Sequence, residues 1–458
     1  MTQAEPNRLL ADVMAEANLS NKALARRVRE APRAHGKAVS ADHTSVSRWL
    51  NGMQPRQRTA QLITEVLSAQ LERTVRLADI GMAGTEGVAA RGTDYSASPE
   101  SAVDALTTLW RADLDRSASM LDTPIATAAW SDASLSWLVR DRQDRLTERR
   151  SSVRVGPSDI TAIRATTTAF AQLDDMYGGG HARRALIQYL SSDLSELLVG
   201  QYTEGVGRQL YSAAAEATLL SAWMSYDAGI HGLAQRYFLQ ALRLAQAADD
   251  VLLAANVLDA MSRQASFLRK PREAANMARA ARFGTQGRST PGLTAHFYSM
   301  EARALAVTGD EIGASHALSE AVRVFERRQS GSEPEWITYF DDAELSAEFS
   351  HCFRDLGRTA DAIRYARQAM SGASRRSQFF VTMVLANAHA GPGGDLNEAC
   401  SVAKDALSIA SQLKSARSIA YLREFREHVE SRKDAAPVRE LAEYAAEHPA
   451  WEASRPKP

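Results

Sequence analysis

The chain has 458 residues, 45% of them hydrophobic, the make-up of a packed globular protein with room for about two to four domains. Basic and acidic residues nearly balance, 54 against 55, so any nucleic-acid signal must be local. Composition also excludes several classes. Cys352 and Cys400 lie far apart without metal-ligand spacing and read as buried apolar residues; no apolar run approaches the roughly 18–20 residues of a membrane helix; and the polar start, 1–11, has no signal-peptide core. The expected setting is the cytoplasm, with no membrane, metal or cofactor.

Leu9, Leu10, Val13, Met14 and Ala17 recur at helical spacing and predict a first helix. A second follows, with Ser20 as its cap and Leu24, Ala25 and Val28 on its apolar face. Lys22, Arg26, Arg27 and Arg29 load its exposed side. The third, over 42–51, has two faces. Val46, Trp49 and Leu50 share the apolar one, while Thr44, Ser45, Ser47 and Arg48 occupy the other flanks. Asp42 is a good N-cap, and Gly52 stands where a left-handed residue ends a helix. Arg can donate two hydrogen bonds to guanine, and small hydroxyls reach bases or phosphates without bulk, so this helix suits the DNA major groove. A fourth helix, 61–71, carries Leu62, Ile63, Val66 and Leu67. Between Ser20 and Ala60, nine Lys/Arg stand against only Glu30 and Asp42, a basic head on a mildly acidic body. The expected DNA contacts are Thr44, Ser45, Ser47 and Arg48 toward bases, Lys22, Arg26, Arg27, Arg56 and Arg58 on phosphates, and His43 beside them.

Ala23-Leu24-Ala25-Arg26-Arg27, then Thr44-Ser45-Val46-Ser47-Arg48-Trp49-Leu50-Asn51-Gly52 and Pro55-Arg56, resembles the lambda-repressor-like (XRE-type) helix-turn-helix. The resemblance implies a DNA-binding domain over 1–82, closed by 77–82. The sequence departs from the family in the turn between the second and third helices, usually about 3–4 residues. Here 30–41 is longer and holds Pro32 and Gly36; it reads as a basic loop touching phosphate through Arg33, His35 and Lys37.

Residues 83–100 have linker composition, rich in Gly, Ser and Thr. Connecting helices are expected over 101–156, one with the stripe Leu106, Leu109, Trp110 and Leu114, another with Leu135, Leu138 and Val139. From 157 to 434 the chain reads as helical with a faint repeat. Gly229, Lys270, Gly309, Gly357 and Gly394 stand five residues before Ala234, Ala275, Ala314, Ala362 and Ala399, in steps of 41, 39, 48 and 37. Seven past those alanines come Ala241, Arg282, Ala321, Ala369 and Ala406, so Arg282 breaks the small-residue rule. A period near 40 of helix, turn and Ala-rich helix implies stacked antiparallel helix pairs. The array resembles divergent tetratricopeptide (TPR) repeats, and 435–458 forms a C-terminal helix and tail. The predicted fold class is all-α: a small helix-turn-helix domain followed by a TPR-like α-solenoid.

Two further stretches, Leu173-Asp174-Asp175-Met176-Tyr177-Gly178-Gly179-Gly180-His181-Ala182-Arg183 and Trp223-Met224-Ser225-Tyr226-Asp227-Ala228-Gly229, are similar to actinobacterial HTH–TPR transcriptional regulators of development and secondary metabolism. The resemblance implies a gene regulator that binds double-stranded DNA, as a homodimer. Enzymatic signatures are missing. The triple glycine lacks the preceding strand and the Lys-Ser/Thr of a P-loop, and the histidines form no close metal pair. On the presumed first helices of the pairs, Asn256, Asp259 and Arg263 share a face, with Asn387 similarly placed on a later one. These would line a concave groove for a peptide or small-molecule signal. The alternative function is a TPR-type interaction scaffold without sequence-specific DNA binding.

Overall fold

The computed structural model describes residues 6–30; 41–82 without 54, 56, 72, 74, 76 and 78; 92–115 without 97; 118–139; 146; 152–370 without 330; and 375–455. Apart from one parallel bridge between Arg154 and Gln201, every regular element among them is helical. No described helix is long and apolar enough to cross a membrane. The chain divides into two compact units, Met1–Arg91 with Ser117–Met120, and Gly92–Arg116 with Leu121–Pro458.

The first unit, the head, contains α1 (Arg8–Glu16), α2 (Asn21–Glu30), α3 (His43–Leu50) and α4 (Gln57–Leu71). Their apolar stripes meet in one core that includes Leu10, Leu24, Val28, Val46, Trp49 and Ile63. Ile80 and Met82 join it from the segment after α4. Asn7 ties this segment down: its carboxamide oxygen accepts from Leu10 N at 3.0 Å, capping α1, and its Nδ2 donates to Ile80 O at 2.9 Å. Gly81 is required beside it, because its φ is +62° and a Cβ there would sit 2.6 Å from Asn7 Oδ1.

The second unit, the body, opens with α5 (Pro99–Leu114) and α6 (Thr127–Val139), then α7 (Pro157–Tyr177) and α8 (Gly179–Tyr189). Five helix hairpins follow: α9 (Glu204–Asp227) with α10 (His231–Ala247), α11 (Val251–Phe267) with α12 (Pro271–Gly284), and α13 (Pro291–Val307) with α14 (Glu311–Phe325). Then come α15 (Asp342–Asp355) with α16 (Thr359–Ala369) and α17 (Arg375–Ala390) with α18 (Leu396–Ala410). α19 (Ala416–Glu430), α20 (Ala436–Tyr444) and α21 (Pro449–Ala453) end the chain. Within each hairpin the two helices pack on each other, and the first helices α9, α11, α13, α15, α17 and α19 also touch in series.

The hairpin turns repeat in backbone geometry. Gly229, Arg269, Gly309 and Gly357 have positive φ, each two residues before the second helix, and Gly393 serves the fifth turn. The anchors expected at Lys270 and Gly394 therefore shift by one residue, since the turn needs its left-handed residue earlier. The alanines Ala234, Ala275, Ala314, Ala362 and Ala399 are all buried. Arg282 does not disrupt its hairpin. It stacks 4.4 Å from the Tyr298 ring and donates to Glu301 at 3.1 Å.

Two expectations change. In α6 the buried stripe is Trp130, Ala133, Ser134 and Trp137, whereas Leu135, Leu138 and Val139 are exposed. Trp130 and Trp137 at i and i+7, with the small Ala133 and Ser134 between them at i+3 and i+4, define the inward face, and Leu135, Leu138 and Val139 lie on the other one. The expected linker, 83–100, is held from Gly92 onward. Gln240 Nε2 donates to the carbonyls of Gly92 and Asp94, both at 3.2 Å, and Arg243 Nε donates to Ser96 O at 2.8 Å. Farther on, Gln235 exchanges two bonds with the Ala126 backbone, at 2.8 and 2.9 Å. This strap covers α10, which is why its side chains are buried on every side.

The series of hairpins closes on itself. Lys414 N donates to Tyr177 O at 2.7 Å, and Gly180 N donates to Lys414 O at 2.9 Å. Asp227, fully buried, accepts from Gly179 N and Ser415 Oγ, both at 2.9 Å, and lies 3.4 Å from Arg376 and 3.6 Å from Arg417. Arg376 also pairs with Asp174, a partner 202 residues away. The triple glycine is thus a close-packing device. A Cβ on Gly179 would lie 2.5 Å from Met224 O.

Candidate nucleic-acid interface

In the head, α3 is built to present one face. Ser45 N donates to Asp42 Oδ1 at 2.7 Å, the Ser45 hydroxyl donates to the same oxygen at 2.8 Å, and Asp42 N reaches back to Ser45 Oγ at 3.4 Å. This capping box fixes the start of the helix. The Ser45 backbone N–H, then its hydroxyl, then the nearby His43 and Arg48 charges hold the Asp42 carboxyl below its ordinary value. At the other end Met53 N donates to Arg48 O at 2.9 Å, and Gly52 takes φ +91°. Behind the helix Val46 and Trp49 are buried; in front His43, Thr44, Ser47 and Arg48 are exposed. Ser45 is half-buried, and its hydroxyl is spent on the cap. The sequence offered four equivalent polar side chains; the structure leaves three of them, plus His43, uncommitted.

A cleft of about 500 Å³ separates the start of α2 from the start of α3. Lys22, Arg26, Arg29 and His43 line it, with Asp42 the acid among them. Arg26 has only an exposed 4.0 Å pairing with Glu30 on its own helix. Arg27 is elsewhere, donating to Gln70 of α4, so it braces the head more than it faces the cleft. Arg56, the side chain of Arg58, and the loop cations Arg33, His35 and Lys37 lie outside the described residues.

In the body, Asp259 and Arg263 come together on the inner side of the first helices. His296 Nδ1 lies 2.7 Å from Asp259 Oδ2. Arg263 pairs with Glu348, which also accepts from Arg303 at 3.0 Å. Burial alone would push the Glu348 carboxyl up, but the guanidiniums of Arg263 and Arg303 outweigh it and pull it down to about 2. Asn256 is half-buried a turn earlier. Asn387 is not part of this cluster: its Nδ2 donates to Met383 O at 2.9 Å, and its Oδ1 accepts from His428 Nδ1 at 2.8 Å. The inner side also carries α19, where an extended peptide was expected. Arg417 lies 4.3 Å over the Phe380 ring and 4.7 Å over Tyr226, and Tyr421 packs on Phe380 and His351. No group of His, Cys, Asp and Glu able to hold a metal occurs among the described residues.

Comparison with known proteins gives one match. A family model, the SP15 N-terminal domain, covers residues 10–83, from the first buried residue of α1 to one position past Met82. No curated protein and no solved structure matches the chain.

Proposed function

We propose that the protein is a sequence-specific DNA-binding transcriptional regulator, with the head as a helix-turn-helix domain and the body as a TPR-like array that dimerises and senses a signal. The observation that carries this reading is α3. It has a buried Val46/Trp49 face behind and an exposed, uncommitted Thr44/Ser47/Arg48 face in front. In this reading α3 enters the major groove, Arg48 takes a guanine edge, and Thr44, Ser47 and His43 complete the contacts. Lys22, Arg26 and Arg29 around the adjoining cleft neutralise phosphates. The nine-to-two excess of basic residues around these helices supports the same assignment. The likeness of the 173–183 and 223–229 stretches to actinobacterial regulators supports, as part of this proposal, a role in development or secondary metabolism, in the cytoplasm and without enzymatic activity.

Fluorescence anisotropy on full-length protein with a selected duplex and a scrambled one tests the reading. Expected is tighter binding to the selected duplex by about 10³-fold or more at one fixed salt concentration. Equal affinity for both would refute it.

A further inference from the structure

We propose that the body carries a small-molecule site in the cavity between α19 and the C-terminal ends of α11, α13 and α15, and that its ligand is an oxyanion (phosphate or carboxylate) joined to a compact apolar body. The cavity encloses about 260 Å³. Four guanidiniums line it, from Arg269, Arg303, Arg354 and Arg423, against three carboxylates, from Asp355, Glu424 and Glu427.

The ion pairing among these groups is incomplete. Arg303 is spent on Glu348 at 3.0 Å, and Arg354 is held by Asp355 at 2.7 Å. Glu424 stands 3.8 Å from Arg269 and 4.0 Å from Arg354. One donor is left over. Arg423 Nε is buried without a hydrogen bond, and Arg423 has no ion pair among the described residues, while Arg354 Nη1 has no hydrogen bond and only the long 4.0 Å pairing with Glu424. Buried guanidinium N–H groups are costly to leave unpaired, and their forked geometry matches the oxygens of phosphate or carboxylate.

Part of the wall is apolar. Phe267, Val307 and Tyr421 contribute it. A bare inorganic anion would leave that wall in contact with water, whereas an attached ring or alkyl group would cover it. The site stands apart from the DNA reading, and its test contains no DNA, so either can fail alone.

Isothermal titration of the full chain with phenyl phosphate, benzoate and inorganic phosphate tests it. Expected is saturable 1:1 binding of at least one aromatic anion, about ten-fold or more tighter than inorganic phosphate. The tighter of the two names the head group, phosphoryl or carboxylate. Arg423→Gln should weaken that binding about ten-fold or more while leaving the melting temperature unchanged, because Arg423 holds no ion pair. Arg269→Gln, at an exposed side chain, should weaken it in the same direction. Absence of saturable heat from both aromatic anions, or identical binding by wild type and Arg423→Gln, would overturn the proposal.

Discussion

The exposed face of α3 and the inner side of the body both carry arginine, and they do opposite things with it. On α3, Thr44, Ser47 and Arg48 are exposed, and no acid among the described residues pairs with the Arg48 guanidinium. In the body, Arg263, Arg303, Arg376 and Arg417 are each tied to a buried carboxylate or stacked on a ring. An arginine held by its own protein is structural; one held up by a buried Trp and left unpaired is available to a partner. What separates the two regions is therefore commitment of donors: the body supplies buried acids for its arginines, and the α3 face does not.

The largest effects should come from removing what lies behind each face. Trp49→Ala should cost the head about 3–5 kcal/mol, since the side chain is buried in the head's core. The check is a thermal melt in which the head transition shifts and the body transition does not. Glu348→Ala should cost the body about 3–5 kcal/mol by leaving Arg263 and Arg303 without their shared acid. If both variants moved the same transition, the distinction between the two regions would be lost.

Acid sharpens the comparison next. Burial, then Arg417, lowers His231 from 6.5 to about 4, and burial with Arg303 and Arg354 holds His351 well below its ordinary value. Both stay neutral in the fold while the unfolded chain protonates them. Their contribution is complete above pH 6.5 and is lost as pH falls below it, for His231 down to about 4. Denaturant melts at pH 7 and pH 5 should show the body transition at lower denaturant in acid. Glu348 acts lower still, its contribution fading from pH 4.5 toward 2.

Smaller effects belong to the open face. Arg48→Ala should cost about 1–3 kcal/mol at one base position and leave both melting transitions in place. Arg26→Ala should weaken all duplexes alike and reduce the salt slope by about 1, read from affinities across a salt series.

The head was largely legible in the sequence because its signals are local. Val46, Trp49 and Leu50 share a face by spacing alone, and Asp42 and Gly52 mark both ends. What spacing could not give was the use of Ser45: a hydroxyl three residues past an Asp can cap or read, and the fold chose the cap. In α6 Leu135, Leu138 and Val139 have helical spacing, yet packing buries the face of Trp130 and Trp137 instead. The closure of the body was illegible for another reason. Asp174 and Arg376 are 202 residues apart, and no period links them. Yet the stretches 173–183 and 223–229 both sit at that closure, which gives their wording a structural use. Asp259 and Arg263 share a face as expected, but Glu348 and His296, which occupy them, arrive from other helices.

The most direct test is selection from a random duplex pool by the full-length protein, run in parallel with Arg48→Ala. The account predicts one enriched motif for the wild type and the same motif with a single relaxed position for the variant. A pool left unenriched by the wild type, or an identical motif from both proteins, would contradict it.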